Sequence, residues 1–156
     1  MGLLASFTRG SGKANPKDPR DLGKIRVPET HPRSIEWLMD PQTEYVPFWV
    51  RHESNKLEKC ASIYGCQGFE MDFAGLFWGD DYVIRDNRWE IGDPDSCYDR
   101  APGCTPLAGL MKNRPEEARR LLMNRYRIML TRGILGTSVY FEDQETRGFF
   151  QGLGGA

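Results

Sequence analysis

Apolar residues in this chain come in short blocks separated by polar and glycine-rich stretches. No single period runs throughout. Residues 3–7 are short and apolar, the pattern of a parallel strand buried on both faces. Residues 9–33, rich in Gly, Pro, Lys and Asp, predict a long surface loop. Residues 34–39 predict one helical turn, and residues 48–50 a brief extended stretch. Residues 59–63 read as the next strand, followed by the glycine-flanked turn Gly65-Cys66-Gln67-Gly68. Residues 73–78 read as a buried strand. Residues 82–84 and 88–91, joined across Asp86-Asn87, carry the pattern of a hairpin. Residues 93–105 are dense in chain breakers and predict a loop.

The strongest helical signal spans residues 113–132. Asn113 is placed to cap it, Pro115 suits its first turn, and Glu116 and Glu117 complement the helix dipole. Ala118, Leu121, Leu122, Arg125, Tyr126 and Met129 fall near one stripe, and Gly133 fits a C-terminal cap. Residues 137–141 then predict a strand, 143–150 a terminal helix, and the last residues a flexible tail over 151–156. Alternating strands and helices in this order predict an α/β sheet. They form a single domain over residues 1–150, with no internal repeat.

Net charge is −1, so bulk charge does not mark a nucleic-acid binder. Its distribution is uneven. Basic residues dominate 1–33 and 114–133, and acidic residues dominate 68–100. Cys60, Cys66, Cys97 and Cys104 follow no zinc or redox spacing, and only His31 and His52 could join them. They read as reduced thiols of a cytoplasmic protein. Met1-Gly2-Leu3-Leu4-Ala5-Ser6 satisfies a permissive myristoylation pattern, but a core strand is the reading adopted for this stretch. Asp80-Asp81 faintly suggests a magnesium pair, yet adjacent carboxylates commonly just end a strand.

Candidate chemistry gathers in two places. Arg132 closes the 113–132 helix, where a planar guanidinium can reach a phosphoryl group. The plainer alternative is a cation complementing the helix dipole. Arg127 lies about 140° around the helix from it, facing either a partner or an ordinary ion pair. The second place is the 62–70 turn. Gly68 allows close backbone approach, Gln67 can bond a phosphate or its water, and Glu70 a ribose hydroxyl. Ser62 and Tyr64 sit where a nucleic-acid backbone or base could be met. Equally, this is a turn with a capping acid at its end. Gly-x-x-x-x-Gly-Lys-Ser/Thr is absent, and Gly10-Ser11-Gly12-Lys13 is only a fragment of it.

Residues 63–80, with Ile63-Tyr64-Gly65-Cys66-Gln67-Gly68-Phe69-Glu70, together with Asn124-Arg125-Tyr126-Arg127-Ile128-Met129-Leu130-Thr131-Arg132-Gly133, resemble the C-terminal part of the schlafen-group-3-like DNA/RNA helicase domain family. The resemblance implies a RecA-like fold: an open, mostly parallel sheet flanked by helices, with a β-hairpin insertion. It also implies superfamily 1 motor chemistry on ATP and magnesium, with single-stranded DNA or RNA as partner. Arg132 then matches the arginine finger. Gln67, Gly68, Glu70 and Arg127 fall to the nucleotide site, and Ser62 and Tyr64 to the nucleic acid. Tyr64 stands where such helicases often carry His. With no phosphate loop in the sequence, the expectation is a second motor domain that needs an N-terminal motor domain in cis or in trans. The alternative is a non-catalytic module that binds protein or nucleic acid.

Overall fold

The computed structural model describes residues 1–6, 24–25, 35–37, 43–92, 94 and 107–154. A six-stranded sheet of order β2-β3-β4-β1-β5-β8 carries the fold. Its strands are β1 (Gly2–Ala5), β2 (Lys24–Ile25), β3 (Ile35–Trp37), β4 (Lys59–Ala61), β5 (Met71–Trp78) and β8 (Gly133–Phe141). All neighbours pair in parallel except β2 with β3. β1 lies at the centre, with Leu3 opposite Cys60 on one side and Gly75 on the other. All four of its residues are buried, which is why its sequence carries no alternation.

β6 (Tyr82–Arg85) and β7 (Arg88–Ile91) form the expected separate hairpin. Asp86 and Asn87 take positive φ, 49° and 60°, as a primed two-residue turn demands. Arg85 grips Asp143 through two bonds of 2.7 and 2.9 Å. Asp143 also caps α4 (Gln144–Leu153) by accepting from Thr146 N at 2.8 Å. The Arg85 bonds hold the Asp143 carboxyl well below the usual carboxylate range. The hairpin is thereby fastened to the N-terminus of α4.

Four expectations are corrected. Of the expected helical turn over 34–39, the described residues 35–37 instead form β3, which pairs with β4. Three residues carry too little periodicity to declare a strand, and sheet pairing decides. Residues 48–50 are not extended but end α1 (Tyr45–Val50). Pro47 is tolerated because it stands in the first turn, where its missing N–H has no intrahelical partner. Asn113 does not cap the long helix. It ends α2 (Leu107–Asn113), an element not anticipated, and Arg114 precedes α3 (Pro115–Leu130). Gly133 caps nothing; it opens β8. A Cβ there would lie 2.1 Å from the Gly136 carbonyl oxygen, so the site excludes a side chain.

The strand β2 interrupts the expected 9–33 loop, most of which lies outside the described residues, as do Cys97, Cys104 and nearly all of the 93–105 loop. α4 reaches Leu153, beyond the expected start of the tail at 151. Of α3, Ala118, Leu122, Arg125, Tyr126 and Met129 are buried, as the stripe predicts, while Leu121 is exposed. No helix among the described residues is long and apolar enough to cross a membrane.

Candidate functional site

Trp49, buried in α1, supports the turn that follows β4. Its indole Nε1 donates to Gly65 O at 2.7 Å, and its ring stacks on Phe69 at 5.1 Å. Within the turn, Cys66 N donates to Ser62 O at 3.1 Å and Phe69 N to Cys66 O at 3.3 Å. Ser62 is buried, and its hydroxyl accepts from Gly65 N at 3.4 Å, so it shapes the turn from inside. Gln67, Gly68 and Glu70 stand exposed on the outside. Gly68 has φ +84°, and a Cβ there would meet nothing within 4 Å. The backbone at Gly68 is therefore both unusual for an L-residue and open to approach from outside.

Gly68→Ala is expected to lower stability by about 1–2 kcal/mol through left-handed backbone strain alone, since no neighbour is struck. Urea unfolding of the variant measures this. A loss above about 3 kcal/mol would contradict open space around Gly68.

Arg132 follows the last turn of α3 and lies against the same turn. Its Nε donates to Ile128 O at 3.0 Å, Nη2 to Thr131 Oγ1 at 3.3 Å and Nη1 to Phe69 O at 3.5 Å. The Arg132 carbonyl in turn accepts from Met71 N at 3.0 Å, fixing the junction of α3 with the start of β5. The guanidinium is close enough to Cys66 to oppose the effect of burial, which still raises that thiol to about 11. Two stretches 63 residues apart thus share one surface.

The remaining predicted residues divide. Tyr64 is 38% exposed and is held from below by Arg125. The Arg125 guanidinium lies 5.7 Å from the Tyr64 ring centroid, and its Nη2 donates to the Tyr64 hydroxyl at 3.3 Å. Arg127 is exposed on the outer face of α3 and has no side-chain partner among the described residues. It is not brought to the Gln67 turn.

Arg125 and Asp81 are further structural determinants of this site, beyond the residues expected from the sequence. Arg125 had a signal: a cation within the apolar stripe of Leu122 and Met129. Asp81, past the carboxyl end of β5, does more than end a strand. It is 1% exposed and accepts from Ser6 Oγ at 2.7 Å and from the Tyr126 hydroxyl. Burial raises its carboxyl to about 6, against the lowering effect of the Tyr126 and Ser6 hydrogen bonds. The same Tyr126 hydroxyl accepts from Gly79 N at 3.1 Å, and its ring stacks on Trp78 at 3.8 Å and 9°. Tyr126 therefore sets the position of α3, and through it of Arg125 and Arg132, on the sheet. No cluster of three or more His, Cys, Asp or Glu side chains suited to a metal forms among the described residues.

The domain is a mostly parallel α/β sheet in which Arg132, just past the end of α3, lies on a glycine turn. The chain belongs to the family described as Schlafen group 3, DNA/RNA helicase domain, which matches residues 1–143. It is also similar to an uncharacterized protein of Saccharomyces cerevisiae, YPL245W, at 26% identity over 113 residues. That match covers 72% of this chain and 24% of the yeast protein, so the chain spans about a quarter of that relative's length. No solved structure matches.

Proposed function

We propose that this chain is the second, RecA-like motor domain of a superfamily 1 helicase-type ATPase that acts on single-stranded DNA or RNA. The contact between the Arg132 guanidinium and the Phe69 carbonyl carries the reading, because it joins the two motifs at one surface. Arg132 is the arginine finger. Its present acceptors are neutral oxygens, and a phosphate oxygen is a stronger acceptor for a cationic donor. The guanidinium can exchange the long Phe69 bond for a phosphoryl group without displacing α3.

Gln67 lies beside it for a phosphate or its water, and Glu70 for a ribose hydroxyl. The open backbone of Gly68 fits a nucleotide lying against it. When bound, the nucleotide supplies the bond whose cleavage drives movement. In this reading magnesium is held by the other half of the site. That half, with its phosphate loop, must come from another stretch of the same polypeptide or from a second chain, because no such loop occurs in this sequence. Tyr64 offers a ring to a base, with Ser62 holding the turn beneath it. Arg127 lies apart from the turn, so its role shifts from the nucleotide to the nucleic acid or the neighbouring domain. A cytoplasmic location, with Cys60 and Cys66 kept as thiols, belongs to the same reading.

The test is ATP hydrolysis by this chain alone and together with a polypeptide carrying the phosphate loop, each with and without single-stranded DNA or RNA. The expected result is negligible turnover alone and polynucleotide-stimulated turnover when completed. Substantial turnover by this chain alone would contradict the half-site. One observation favours a second reading, a non-catalytic binding module: the Arg132 donors already engage Ile128, Thr131 and Phe69. Salt-sensitive binding of single strands, without turnover in any combination, would establish that reading instead.

A further inference from the structure

β8 is the outer strand of the sheet on the side opposite β2. Among the described residues, nothing pairs with its free edge. Its nine residues, Gly133–Phe141, contain neither a charge nor a proline, the usual devices that protect an edge strand. Ile134 and Leu135 are 64% and 69% exposed. Glu142 N donates inward to Trp78 O at 3.0 Å. Backbone direction alternates along a strand, so the N–H and C=O of Phe141 and Val139 point outward. Arg147 of α4 confirms the direction, since its Nη2 reaches the Phe141 carbonyl from outside at 3.4 Å.

A cleft of about 250 Å³ runs between this edge and α4, lined by Val139, Tyr140, Phe141, Arg147, Phe150 and Gln151. It is smaller than the roughly 300–1,000 Å³ of small-molecule sites. It suits one or two side chains of an extended segment better than a whole metabolite. Arg147 also lies over the Tyr140 ring at 5.3 Å. It has no acidic partner among the described residues, and no acid lines the cleft. Most of its five donors are therefore available.

We propose that the β8 edge and the β8–α4 cleft form a binding site for an extended acidic segment of a partner protein. The segment adds as a further strand by main-chain pairing at Val139. It seats an apolar side chain in the cleft and lays a carboxylate on Arg147. Strand addition beside a helix is an established mode of peptide capture. A second copy of this chain fits less well, because its own edge, Gly133–Phe141, has no carboxylate to offer. The site does not depend on the motor reading; it uses neither Arg132 nor the Gln67 turn.

The probe is an acetylated, amidated hexapeptide of alternating valine and threonine with one central glutamate, followed by fluorescence anisotropy and amide hydrogen exchange. The expected result is saturable binding that slows exchange at Val139 at least tenfold. Arg147→Glu should weaken binding at least tenfold, and a lysine-for-glutamate peptide should recover it. Val139→Pro removes the outward N–H and trims a side chain that lines the cleft and packs on the core. It should therefore abolish binding with a lowered melting temperature but a folded chain, while Val139→Ala, which keeps the N–H, should retain saturable binding. Absence of binding by the glutamate peptide overturns the proposal, as does equal binding by Arg147→Glu or retained binding by Val139→Pro. Peptide-independent protection of β8 that grows with protein concentration overturns it in favour of a second copy.

Discussion

Arg132→Ala is expected to lower nucleotide turnover by the completed two-domain motor by a factor on the order of 10³ to 10⁵, the range that an arginine finger contributes to phosphoryl transfer. The fold should survive. Arg132 is only half-buried, and its three side-chain bonds run to neutral groups at or near the protein surface. The Met71 N bond to the Arg132 carbonyl is a backbone contact and persists in alanine. Loss of turnover with near-unchanged unfolding therefore separates a chemical role from a structural one. Arg132→Lys sharpens the comparison, because an ammonium keeps the charge and lacks the planar fork. If the lysine variant retains most of the activity, Arg132 contributes charge alone.

The second large effect concerns stability. Tyr126→Ala is expected to destabilise the chain by about 3–5 kcal/mol, the range for deleting a buried aromatic side chain. Tyr126 is 1% exposed and stacks on Trp78, so alanine leaves a cavity in the aromatic layer. It also strips the buried Asp81 carboxylate of a donor and leaves Gly79 N without its acceptor. Tyr126→Phe isolates the hydroxyl. It keeps the stack and is expected to cost about 1–3 kcal/mol for the unsatisfied groups alone. Denaturant unfolding of both variants gives the two values. Equal losses would mean that the ring contributes nothing beyond its hydroxyl, against its stacking on Trp78. Because α3 carries Arg125 and leads directly into Arg132, the alanine variant should also loosen Arg132 from the 66–70 turn.

Much of this architecture could be read before any coordinates. The start of α3 was legible because Pro115, Glu116 and Glu117 agree with the apolar stripe behind them. The β6–β7 hairpin was legible because Asp86-Asn87 is a pair that accepts positive φ. α1 was hidden because Val46, Val50 and Pro47 imitate an extended segment, while the burial of Phe48 and Trp49 against the sheet decides for a helix. β3 was hidden because its three residues owe their conformation to β4, a strand over twenty positions later.

The site shows the same division. Arg132 and the Gln67–Glu70 turn could each be singled out as candidates from their own residues. Their contact could not, because it depends on β5 pairing with β8 and on Tyr126 anchoring α3. The inward turn of Ser62 and the distance of Arg127 from the turn likewise follow from tertiary packing. Asp81 looked like the end of a strand because its two partners, Ser6 and Tyr126, lie 75 and 45 residues away.

Backbone-amide NMR of this chain titrated with ATP, with AMP as the comparison, examines the shared phosphate edge without requiring turnover. Weak binding is expected, with ATP shifting Gln67, Gly68, Glu70 and Arg132 together. AMP, which lacks the outer phosphates, should leave Arg132 unmoved, and Arg132→Ala should abolish the ATP-specific component. ATP shifts confined to other surfaces, or a response at Gln67 and Glu70 that leaves Arg132 silent, would contradict a nucleotide site built from these two stretches.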